Sequence, residues 1–207
     1  NISSRGNAGF EVRVQTASQD LHSGRYGGIV TNPLHVLSTL IGGLHDAQGR
    51  IAAPGFYDGV AEPTQAERDE IAAIPYDEVD AFSAIGAQPH GEAGYSTLER
   101  LWIRPTLDVN GMWGGYTGAG SKTVIPNEAF AKITMRLVPG QDPQSAKQTV
   151  IDHLKSQLPP GVSLELYGDR GQSGAYAVPP DHPLLAAAVL ALENTTRQTP
   201  LKVRIGA

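Results

Sequence analysis

There is no cysteine among these 207 residues, which excludes disulfide staples, thiolate zinc sites and a cysteine nucleophile. Aromatic residues amount to 6%, with two tryptophans, so a ring-lined ligand box would have to be built from very few side chains. No apolar run approaches the roughly 20 residues that span a bilayer, and no basic start leads into an apolar core, so no membrane partner is expected. Basic residues are the scarcer charge, 16 Lys and Arg against 21 Asp and Glu. The net charge of -5 comes without a basic stripe, so nucleic acid is not an expected partner either. A cytoplasmic location suits a chain without cysteine.

What is present is enough apolar material, 40% of residues, for a sizeable core, arranged with clear periods. Phe10, Val12 and Val14 alternate with Glu11, Arg13 and Gln15, which predicts a half-buried strand over residues 9–18. Asn32 and Pro33 suit an N-cap and a first helical residue, with Leu34, Leu37, Ile41 and Leu44 following on one face. Ala131, Ile133, Met135 and Leu137 alternate with Phe130, Lys132, Thr134 and Arg136 in a second strong strand. Asp142 and Pro143 open a helix through Ala146, Val150, Ile151, Leu154 and Leu158, stopped by Pro159, Pro160 and Gly161, and a strand over residues 162–167 follows. The order strand, helix, strand, strand, helix, strand is that of an α+β ferredoxin-like sandwich. Residues 50–104, interrupted by Pro54, Pro63, Pro75 and Pro89, read as a helical insertion. A further helix from Asp181, with Leu184, Leu185, Ala188, Val189 and Leu192 on its apolar side, precedes the strand-like Leu201–Ile205.

Chemistry-bearing motifs are few. The six histidines show no i, i+2 or i, i+4 pairing and no HExxH, so no metal ligand set is assigned to this chain. GxSxG is missing, and the glycine-rich stretch from Gly111 to Gly120 fits neither a dinucleotide fingerprint nor a Walker loop. Trp102, Trp113 and Tyr116 could form a stacking set or be ordinary packing anchors. His22, in DLHSGRYGG, reads from composition alone as a turn histidine, Arg136 as a solvated residue on a strand's polar face, and Thr123 as a strand-edge hydroxyl.

Four segments change that weighting: RGNAGFEVRV, DLHSGRYGGIVTNP, GYSTLERLWIRPTLDVNGMWGGYTGAGSKTVIP and ITMRLVPGQDP. In this order and spacing they resemble the lid of the co-catalytic zinc amidohydrolases that include carnosine dipeptidase, aminoacylase and succinyl-diaminopimelate desuccinylase. The resemblance implies a four-stranded antiparallel sheet with two helices on one face, forming a lid and homodimerisation domain inserted into a zinc-binding catalytic domain. It implies that His22 reaches the partner subunit's active site as an oxyanion donor, that Arg136 holds the carboxylate of a dipeptide-like substrate, and that Thr123 contacts the same end of that substrate. It also implies two zinc ions in a catalytic domain outside this chain, whose ligand segments have no counterpart between Asn1 and Ala207. The expected division is a linker over residues 1–8, the lid over 9–178 and the start of a return to the catalytic domain over 179–207. Two rivals stand beside a dipeptidase lid. One is a stand-alone ferredoxin-like interaction module; the other is an aminoacylase or deacylase of the same family.

Overall fold

The computed structural model describes residues 1–206. In chain order the elements are β1 (Ser3–Ser4), β2 (Gly6–Gln15), β3 (Leu21–His22), α1 (Ser23–Tyr26), α2 (Pro33–Gly42), α3 (Gln65–Ala72), α4 (Glu78–Ile85), α5 (Thr97–Trp102), β4 (Thr106–Gly114), β5 (Val124–Ile125), β6 (Glu128–Leu137), α6 (Pro143–Ser156), β7 (Ser163–Ser173), β8 (Tyr176–Ala177) and α7 (Pro183–Thr196). The main sheet is antiparallel with order β4-β6-β2-β7. Taken along the chain, its strands therefore lie second, third, first, fourth, the split βαβ arrangement.

Strict alternation makes this sheet two-sided. Along β6 every second residue, Ala129, Ala131, Ile133, Met135 and Leu137, is fully buried, while Phe130, Lys132, Thr134 and Arg136 are half-exposed. Phe10, Val12 and Val14 of β2 bury on the same side, because directly paired residues of antiparallel strands share a face. Over that face lie α2, through Val36, Leu37 and Leu40, and α6, through Ala146, Val150, Ile151 and Leu154. Burial of these aliphatic side chains, ~1.5–3 kcal/mol each, is the main force holding the two layers together. Both helices start as the sequence predicts. Asn32 accepts from Leu34 N at 2.9 Å, Asp142 accepts from Ser145 N at 2.8 Å, and each cap is followed by proline.

Several expectations shift. β2 begins at Gly6, not residue 9, and β7 runs on to Ser173. The fourth strand, which periodicity did not place, is β4; a bulge between Val109 and Gly111 interrupts its register. Residues 50–104 carry three short helices with a small cluster of their own, Ile71, Leu98 and Trp102, against which Val203 packs. α7 forms, but none of its residues is buried in this chain, so its expected apolar side is open. Of the strand-like Leu201–Ile205, one bridge forms, Ile205 parallel to Ser4. The same β1 residue also pairs with Tyr176 of β8, antiparallel.

Candidate functional site

His22 sits on a two-residue strand that pairs with β5, Leu21 opposite Ile125 and His22 opposite Val124. Its Nδ1 accepts from Gly24 N at 3.1 Å, which caps the short helix α1. Since a neutral imidazole has one donor and one acceptor nitrogen, this bond leaves the proton on Nε2. That Nε2 lies 3.3 Å from Thr123 Oγ1 and is solvent-accessible, so the ring presents a fixed N–H donor at the surface. Gly24 permits the arrangement, because a Cβ there would stand 3.0 Å from the imidazole Cε1. Asp20 secures the loop from behind, its Oδ1 accepting from Asn127 N at 3.1 Å.

Arg136 lies elsewhere. On β6 it stands between Asn7 of β2 and Thr106 of β4, on the face the helices leave open. Its side chain makes no hydrogen bond or ion pair among the described residues. Nearby is Arg5, whose Nε donates to Gly206 O at 2.7 Å. Burial and then the charge of Arg136 push the Arg5 guanidinium down to about 10, with Asp108 opposing. Two guanidinium groups held close together make this end of the sheet favourable for an anion.

The register separates the two places. Asn7 opposes Arg136 and Gln15 opposes Glu128, eight residues apart on each strand, or roughly 25 Å at ~3.3 Å per residue. His22 and Thr123 lie beyond the Gln15 end, where Thr16 N donates to Asn127 O at 2.9 Å. The structure thus groups Thr123 with His22 and not with Arg136.

The aromatic set does not assemble. Trp102 is core, Trp113 stacks on Phe130 with centroids 5.1 Å apart, and Tyr116 folds back to donate to Ala119 O. Among the described residues no three His, Cys, Asp or Glu side chains are grouped to hold a metal, so the residues of this chain do not fit a zinc ion. Nor is any helix long and apolar enough to cross a membrane. A charged cluster invisible in the sequence joins the helical segment to β4. Arg104, 1% exposed, meets Glu92, which Arg50 also reaches at 2.9 Å. Arg68 pairs with Glu99 at 2.9 Å, which ties α3 to α5.

The described residues thus form a split βαβ sandwich with a histidine donor at one end of its sheet and an arginine without a side-chain partner at the other. The M20 peptidase dimerisation domain family matches residues 2–162, and this chain belongs to it. It is 35% identical over 154 residues to the Beta-Ala-His dipeptidase of Mus musculus, covering 73% of this chain and 31% of that protein. It is likewise 35% identical over 154 residues to a Cys-Gly metallodipeptidase of Schizosaccharomyces pombe, covering 72% and 32%. The chain therefore spans about a third of the length of these curated relatives. Its structure resembles human carnosine dipeptidase 1, with a TM-score of 0.75 at 28% identity over all of this chain and 45% of that one. It also resembles the M20 family metallo-carboxypeptidase Sso-CP2 of Sulfolobus solfataricus, with a TM-score of 0.78 at 29% identity over 99% and 46%.

Proposed function

We propose that the chain is the lid and homodimerisation domain of a cytoplasmic zinc-dependent dipeptidase, and that each active site takes residues from two lids. The observation that carries this reading is the distance between His22 and Arg136. A hydrogen-bonded sheet cannot fold its two ends onto one dipeptide, so the two side chains can share a substrate only if they come from different copies. In this reading His22 of one subunit hydrogen-bonds through its Nε2–H to the oxygen of the scissile carbonyl, which takes the place of Thr123 Oγ1 as acceptor. Arg136 of the other takes the terminal carboxylate through two N–H groups. A donor aimed where negative charge develops favours the transition state over the bound substrate, whereas the arginine holds both alike. Two zinc ions belong to the portion of the enzyme beyond this chain. The dipeptidase names of the relatives favour peptide over N-acyl amino acid substrates.

The test uses the complete peptidase. Assayed well below KM, subunits carrying His22→Ala and subunits carrying Arg136→Ala are each expected to keep no more than about a few per cent of wild-type activity as homodimers. In a hybrid, one site has both residues intact and the other neither, so a 1:1 mixture should regain about a quarter of wild-type activity. Verified hybrids without recovered activity would show that the two residues act within one subunit, and the reading fails.

A further inference from the structure

On the open face of the main sheet the charges are mostly paired. Glu11 meets Arg170 at 2.9 Å and Lys132 at 3.5 Å, and Arg13 meets Glu165 at 2.6 Å and Glu128 at 3.6 Å. Arg136 and Asp108 are the exception. Neither has a side-chain hydrogen bond or an ion pair within 4.0 Å among the described residues, yet the register makes them neighbours. Thr106 is directly opposite Arg136, and Asp108 is directly opposite Thr134. Both charged residues therefore lie on one face as a diagonal pair, ~7–8 Å apart and somewhat less between Cβ atoms. A direct contact would be expected if nothing else were required of them, because an Arg side chain is long enough to cross that gap. Instead they stand as opposite charges side by side. Asp108 also lines a cavity of about 330 Å³ running along the edge strand, together with Thr106, His45 and His90. The other cation nearby, Arg5, donates through Nε to the Gly206 carbonyl, keeps a buried Nη1 without a partner and feels the charge of Asp108.

An amino-acid residue with a cationic side chain offers the complement of this pair. An extended lysine carries its carboxylate carbon and its ammonium about 7.5 Å apart, from six bonds of ~1.5 Å at tetrahedral angles. Resting on the reading of Arg136 as the carboxylate holder, we propose that Asp108 reads the side chain of the same C-terminal residue, so that the peptidase prefers peptides ending in lysine or arginine. The selection has two parts. Asp108 attracts a cationic side chain, and it weakens the grip of Arg136 on the carboxylate of a residue that brings no compensating charge. An acidic C-terminal residue meets like charge and is rejected most strongly.

The test compares kcat/KM of the complete peptidase for Ala-Lys and for Ala-norleucine, which matches it in length without the charge. Wild type should favour Ala-Lys about two- to fivefold, the range set by one partly exposed ion pair. Asp108→Asn should bring the ratio close to one, and Asp108→Lys should invert it. Asp108 is exposed on an edge strand, so both variants should keep the wild-type circular dichroism spectrum and melting curve. A ratio unchanged by Asp108→Asn overturns the proposal, as does a loss of the same factor on both substrates. A separate arm measures Arg136→Gln on Ala-norleucine and on its amide. Equal losses there would remove the carboxylate role of Arg136, and with it the proposed function, while the Asp108 ratio still decides its own case.

Discussion

Arg104 and Glu92 meet as a buried two-point pair, Nε to Oε2 at 2.8 Å and Nη2 to Oε1 at 2.9 Å, under the rings of Tyr95 and Tyr57 at 4.3 Å and 5.3 Å from the guanidinium. Two residues beyond Arg104, Thr106 begins β4 directly opposite Arg136. The pair therefore fastens the helical segment to the strand beside the proposed carboxylate site.

Glu92→Ala is expected to destabilise the domain by about 3 kcal/mol, because it removes both short contacts of a buried guanidinium and leaves it only Glu62 Oε1, at 3.4 Å. The double variant Glu92→Leu, Arg104→Met should recover most of that loss, since it removes both charges at similar volume. Urea unfolding measures both. A Glu92→Ala midpoint equal to wild type would show that water reaches Arg104.

Tyr95 should titrate late. Burial, and then its hydrogen bond to Glu62, push its hydroxyl up to about 12, against 10.0 for a free tyrosine. A raised folded value means that the protonated ring stabilises the fold below pH ~10, and that this contribution disappears as pH climbs from 10 towards 12. The difference in absorbance at 295 nm between wild type and Tyr95→Phe isolates the transition. In Glu62→Gln it should move down towards the ordinary range.

In the complete enzyme His22→Ala should lower kcat by about 10²–10³-fold with metal content unchanged, the usual loss for one oxyanion donor. Thr123→Val should cost less, about tenfold, because it removes only the group beside Nε2 at 3.3 Å. Equal losses from the two would point to a contact of Thr123 with substrate.

Arg136→Ala should cut kcat/KM for a dipeptide by about 30- to 1,000-fold, mainly through KM, since the contact is remote from the bond that breaks. Lysine at this position should restore part of the loss, having the charge without the planar fork. A dipeptide amide, which lacks the carboxylate, should be cleaved about equally by wild type and variant.

The sheet was legible where burial is one-sided and uninterrupted. β2 and β6 lie centrally, and burial alternates along all of β6 and from Phe10 to Gln15 of β2, with Gly9 the one break. β4 escaped because Leu107 is its only buried residue and the bulge at Val109 to Gly111 resets the period, so its sequence shows neither an apolar stripe nor a steady alternation. The apolar residues of α7 were visible but their partner was not, because helical periodicity tells which side is apolar and not what covers it. Motif reading found His22, Thr123 and Arg136, yet only the register revealed that they fall into two groups. Asp108, Glu92 and Arg104 carried no signal at all. A lone charge in a sequence acquires meaning only when pairing brings its neighbours into reach.

The antiparallel pairing of Ser3–Ser4 with Tyr176–Ala177 brings the chain's way in and its way out of the sandwich side by side. A domain entered and left at one point behaves as a cassette. It can be excised and the gap closed by a tight turn between Ser4 and Tyr176, without stretching whatever flanks it, and it can be grafted at a hairpin of another scaffold by the same two strands. Exchange between related peptidases would then swap the whole dimerisation domain in a single splice, while leaving the rest of the host fold intact.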